Sequence, residues 1–122
     1  MIARHEKTPI MHRAVENNGV LYLAGVTGDD LSLSMGGQAK QAFLKVEELL
    51  KAHRSSKSAL LSVQVFVTDM TAKEEMNAAW LEWLDADQLP ARATIGVADL
   101  GPYTLIEVVA TAAVLGRQWP AN

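Results

Sequence analysis

Cysteine is missing from the sequence, which excludes disulfides, thiolate metal sites and cysteine nucleophiles together. No run of basic residues occurs, and 11 Lys+Arg against 14 Asp+Glu leave a net charge of −3, so the electrostatic footprint of a nucleic-acid binder is absent. Aromatic residues make up only 6% of the chain and do not interleave with the charges. No apolar run approaches the roughly 20 residues of a membrane span, and the opening "MIARHEKTPI" has no apolar signal core, so a cytoplasmic protein without membrane partners is expected. With four prolines there is no Pro-rich linker and no low-complexity segment.

What remains is 122 residues, 49% hydrophobic and 20% charged, the composition of one globular domain spanning 1–122. "RAVENNGVLYLAG" reads as two strands around an Asn18-Gly19 turn, because both residues accept the positive φ a tight hairpin demands. Met35, Ala39, Ala42, Phe43, Val46, Leu49 and Leu50 recur at helical spacing, which predicts an amphipathic helix with Gln38, Lys45 and Glu48 outside. "ALLSVQVFVTDM" predicts a strand with Leu61, Val63, Val65 and Val67 on one face. Thr71 followed by Glu74 has the form of a capping box, opening a second helix with Met76, Ala79, Trp80 and Trp83 as its apolar stripe and its end near Leu84. A short strand from Arg92 to Val97, a turn around "DLGPY" and a long strand from Leu105 to about Leu115 complete a ββαβαββ order.

Two amphipathic helices and a largely antiparallel sheet predict an α+β sandwich with both helices on one face. In the last strand Ile106, Val108, Ala110, Ala112 and Val114 alternate with Glu107, Val109, Thr111, Ala113 and Leu115, and both sets are mostly apolar. A strand apolar on both sides is covered on both sides, so the face without helices is expected to meet other subunits in a homo-oligomer.

The three histidines, His5, His12 and His53, have no metal-ligand spacing. The serines of "LSLS" and "RSSKS" lack a nucleophile elbow, and the glycines of "MGGQ" lack a phosphate-binding fingerprint. The two tryptophans at helical spacing read as core or interface anchors. Arg92 and Glu107 stand out as charges within apolar strands, with Asp99 at the bend between them as a turn residue. Two readings fit them. One is a solvated strand entrance and an edge charge; the other is a small acid-binding pocket, assembled when the two strands pair, in which an Arg fork takes a carboxylate and a half-buried Glu handles a proton of water.

"PARATIGVADL" followed by "TLIEVVATAAV" closely resembles the C-terminal signature of the RidA (YjgF/YER057c/UK114) family, and "LAG", "VQVFVTDM" and "MNAAW" fall in the family's order and spacing. The resemblance implies a chorismate-mutase-like fold, a homotrimer with a barrel-like core and a pocket at each subunit interface. It implies hydrolytic deamination of reactive enamines and imines such as 2-aminoacrylate to 2-oxo acids and ammonia, without metal or cofactor. By the same resemblance Arg92 clamps the substrate carboxylate, Glu107 positions or activates water, Gly25 and Thr94 contact the ligand, and Asn77 supports the pocket. Where deaminases of the family carry a tyrosine and a serine, this chain has Met11 and Ala24, and Tyr103 stands beside the pocket strand. The alternative implied by those departures is a non-catalytic, small-carboxylate-binding or chaperone-like trimer. Ribonuclease activity, also attached to family members, is disfavoured by the acidic charge.

Overall fold

In the computed structural model, which describes residues 1–116, Asn18 (φ 52°) and Gly19 (φ 79°) make the expected turn. It joins β2 (His12–Asn17) to β3 (Val20–Leu23), with Asn17 opposite Val20. The N-terminal residues add a strand that the sequence pattern does not predict. β1 (Ile2–Lys7) pairs antiparallel with β2, so the order is βββαβαββ. Its alternation of Ile2, Arg4 and Glu6 with Ala3, His5 and Lys7 is too polar to read as a strand; pairing with β2 overrides it.

The remaining elements are α1 (Met35–Ala52), β4 (Leu60–Val67), α2 (Lys73–Trp83), β5 (Ala91–Gly96) and β6 (Ile106–Ala113). The six strands form one mixed sheet in the order β1-β2-β3-β6-β4-β5, parallel only between β4 and β5. β6 lies between β3 and β4 and its Ile106, Val108, Ala110 and Ala112 are buried towards the helices. Among the described residues β5 is an edge strand, hydrogen-bonded only to β4.

Three expectations are corrected, at Leu61, Thr71 and Gln38. A register shift between Leu60 and Ser62 places Leu60 in the core and turns Leu61 outwards, 48% exposed. The capping box does not form: Asp69, two residues before Thr71, accepts from both its N–H (3.0 Å) and its hydroxyl (2.6 Å), making a short turn that hands over to α2 at Ala72. Glu75, on the first turn of α2, instead accepts from Gly36 N–H at the start of α1. His5 and His53, far apart in the chain, stack with ring centroids 4.7 Å apart where β1 meets the end of α1. Lastly, Gln38 is fully buried.

Gln38 explains how a polar residue enters a helix's apolar stripe. Its Oε1 accepts from Leu105 N–H (2.9 Å), and its Nε2 lies 3.0–3.2 Å from the carbonyls of Tyr103, Leu33 and Leu31. One side chain thus ties α1 to the loop before it and to the loop leading into β6. Tyr103, held at φ 60°, contributes only its carbonyl to this knot; its side chain is 82% exposed. Gln38→Leu leaves those backbone groups unpaired, and a loss of about 2–3 kcal/mol in unfolding free energy is expected by urea denaturation.

The helix-free face of the sheet carries Val15, Tyr22, Thr111 and Ser62 in one cross-strand row and Glu107 with Phe66 and Ile95 in another. Tyr22 is 48% exposed, and Val109, Thr111 and Ala113 are half-buried in the single chain. No helix among the described residues is long and apolar enough to cross a membrane.

Candidate functional site

The structure does not bring Arg92 and Glu107 together within one chain. β5 and β6 are separated by β4, and the pairings fix where each side chain points. Arg92 is opposite Val63, which faces the helices, whereas Glu107 is opposite Phe66 on the helix-free face. The expected pairing of their two strands fails because the parallel partner of β5 is β4, reached through the α2 crossover.

Each charge has company of its own. Arg92 and Thr94, two apart on β5, share the helix-facing side beside Val63 and Val65. The Arg92 guanidinium lies over the Trp80 ring, with Cζ 4.9 Å from its centroid, and Nη1 donates weakly to Met76 Sδ at 3.8 Å. Among the described residues no carboxylate lies within ion-pair distance of Arg92. Burial lowers its pKa from the ordinary arginine value, yet a guanidinium stays cationic at neutral pH. It is a partly desolvated cation without a counter-ion among the described residues.

Asn77 follows Met76 on α2. Its Oδ1 and the Oγ1 of Thr94 are the two buried side-chain polar atoms without a hydrogen-bond partner among the described residues. Such atoms are rare in folded proteins and cost about 1–3 kcal/mol each when left dry. Thr94 shares the helix-facing side of β5 with Arg92, and Asn77 is the residue after Met76, which Arg92 contacts.

On the other side, Val26 exchanges two backbone hydrogen bonds with Val108, each 2.9 Å, which brings Gly25 beside Glu107. A Cβ on residue 25 would overlap the Glu107 carboxylate, lying 3.0 Å from its Cδ. Glycine is therefore what allows the carboxylate to rest against the backbone there. The five residues singled out by sequence thus divide into two candidate half-sites: Arg92 and Thr94 on β5 with Asn77 beside Met76, and Gly25 against Glu107. Met11 lies exposed in the β1–β2 loop, and Ala24 follows β3, its N–H bonded to Arg13 O. Asp99 accepts from Gly101 N–H at 2.8 Å, the turn role its position predicts.

The sequence reading missed Met76 and Trp80 as neighbours of Arg92. Their i, i+4 spacing marks one helix face, but a stripe of that kind reads as core until α2 is known to lie over β5.

Residues 5–114 match the family model described as endoribonuclease L-PSP. A RutC family protein from Haemophilus ducreyi is 32% identical over 114 residues, covering 93% of this chain and 97% of that protein. A protein named 2-iminobutanoate/2-iminopropanoate deaminase, from Dermatophagoides farinae, is 24% identical over 102 residues, covering 79% of each chain. Among solved structures, a YjgF-family protein from Neisseria meningitidis superposes with a TM-score of 0.89 at 25% identity, covering 96% of this chain and 98% of that one.

Proposed function

The chain belongs to the RidA (YjgF/YER057c/UK114) family, described in its family model as endoribonuclease L-PSP, and from that premise we propose that it hydrolyses small carboxylate-bearing imines and enamines to 2-oxo acids and ammonia. The observation that carries the reading is the Arg92 guanidinium, partly desolvated and without a counter-ion among the described residues, on a strand face shared with Thr94, whose buried Oγ1 has no hydrogen-bond partner there. A fork of N–H donors without an anion fits a carboxylate in bidentate geometry. A 2-imino acid offers that carboxylate together with an electrophilic carbon one bond away.

Water adds to the imine carbon and gives up a proton; the nitrogen gains protons, and the C–N bond breaks as the carbonyl forms. The products are one 2-oxo acid and one ammonia for each water consumed. Glu107 is the group suited to orient that water and take its proton. Because Glu107 faces away from Arg92, the second half-site has to come from a neighbouring copy. The half-exposed apolar residues around Glu107 fit a surface covered by subunits, and the assembly proposed is a homotrimer, with the pocket between copies. Neither step calls for a metal or cofactor.

Release of 2-oxo acid from imines generated by an amino-acid oxidase tests the proposal; identical rates with and without the protein would dismiss it. A narrower test concerns Gly25. Gly25→Ala pushes the Glu107 carboxylate off its seat, and because that side chain can swing aside, the expected cost is to turnover and not to folding. Turnover should fall at least about tenfold, with the thermal midpoint little changed. Full activity in this variant would mean that the position of Glu107 is irrelevant.

A second reading, a carboxylate-binding trimer without turnover, is favoured by Met11 and Ala24, neither of which brings a hydroxyl. Saturable binding of pyruvate with no imine hydrolysis would select it.

A further inference from the structure

We propose that Trp80 is a positioning residue that holds the Arg92 guanidinium ready for a carboxylate; the inference rests on Arg92 being the carboxylate clamp. A long arginine side chain without an anionic partner samples many rotamers, and ordering it at the moment of binding weakens affinity. Here the charge lies 4.9 Å from the Trp80 ring centroid, within cation–π range. An aromatic face attracts the charge without using the in-plane N–H donors. A carboxylate partner would order the side chain equally well, but it would occupy the donors the ligand needs.

The indole is itself held. Trp80 is 4% exposed and meets Phe43 edge-on at 5.6 Å and Trp83 edge-on at 6.1 Å. Phe43 and Trp83 stack at 4.9 Å with only 4° between their planes. Trp83 is tied down in turn, its Nε1 donating to Glu47 (2.9 Å) and its carbonyl accepting from Lys57 (2.8 Å). A rigid aromatic group between α1 and α2 therefore ends under the one cation of the half-site. The packing of the two helices and the aim of Arg92 are linked through a single ring.

The test measures pyruvate affinity by calorimetry, and KM and kcat for imine hydrolysis, in Trp80→Leu, Trp80→Phe, Arg92→Ala and the Trp80→Leu/Arg92→Ala double variant. Trp80→Leu, which keeps apolar bulk but removes the π face, should weaken pyruvate binding about tenfold and raise KM by more than it lowers kcat. Trp80→Phe should recover most of the loss. The double variant should bind no worse than Arg92→Ala, since Trp80 acts only through Arg92. If Trp80→Leu does not fold, tryptophan emission decides instead: the change that pyruvate induces in the wild type should vanish in Trp80→Phe although pyruvate still binds. Wild-type affinity in Trp80→Leu, equal further losses in both Arg92 backgrounds, or an unaltered emission change in Trp80→Phe would overturn the positioning role alone. Wild-type affinity in Arg92→Ala would overturn the clamp and this inference with it.

Discussion

Arg92→Ala is expected to lower kcat/KM for imine hydrolysis by roughly 10²- to 10³-fold, the loss of a bidentate, charge-assisted contact to the substrate carboxylate. The fold should survive. Arg92 sits on the edge strand β5, pairs with no carboxylate among the described residues, and its removal leaves no buried counter-charge behind. Arg92→Lys separates charge from geometry: an ammonium keeps the attraction but not the fork, so it should fall between wild type and alanine. Rates of 2-oxo acid release and the pyruvate affinity of the same preparations check both substitutions. Equal rates in wild type and Arg92→Ala would sink the assignment.

Glu107→Gln should act on the other parameter. The amide is isosteric and still fits against Gly25, but it can neither take a proton nor polarise water as a carboxylate does. The expected fall in kcat is about 10²- to 10³-fold, with pyruvate affinity within a few-fold of wild type because the proposed clamp, Arg92, lies in the other half-site. If affinity fell in proportion to kcat, Glu107 would be a binding group and the division of roles would be wrong. Tryptophan emission and thermal denaturation would show whether either variant is merely misfolded.

The residues of the proposed site were legible in the sequence, but their arrangement was not. Asn18-Gly19, the helical stripe from Met35 to Leu50 and the alternation in β6 each announce a local conformation, because φ preference and burial act within a few residues. Arg92 and Glu107 stood out because charge within apolar strands needs a reason. Their facing depended on strand order, and order is set by a crossover that no local pattern encodes: β4 inserts between β5 and β6 and sends the two side chains to opposite faces. Gln38 failed in the same way. Polarity predicts a solvated position, and only the arrival of Tyr103 and Leu105, more than sixty positions on, supplies the partners that allow its burial. The strand β1 was missed because its polar alternation gains strand character only from pairing with β2.

The central claim is that one copy's Arg92 and a neighbouring copy's Glu107 form one catalytic site, and subunit complementation tests it most directly. Arg92→Ala and Glu107→Gln chains, each nearly inactive alone, are unfolded, mixed in equal amounts and refolded together. Random assembly places an intact Arg92 against an intact Glu107 at about a quarter of the interfaces, so the mixture should regain about a quarter of wild-type activity. Mixed oligomers, verified by mass spectrometry, that show no more activity than the two variants separately would contradict the account.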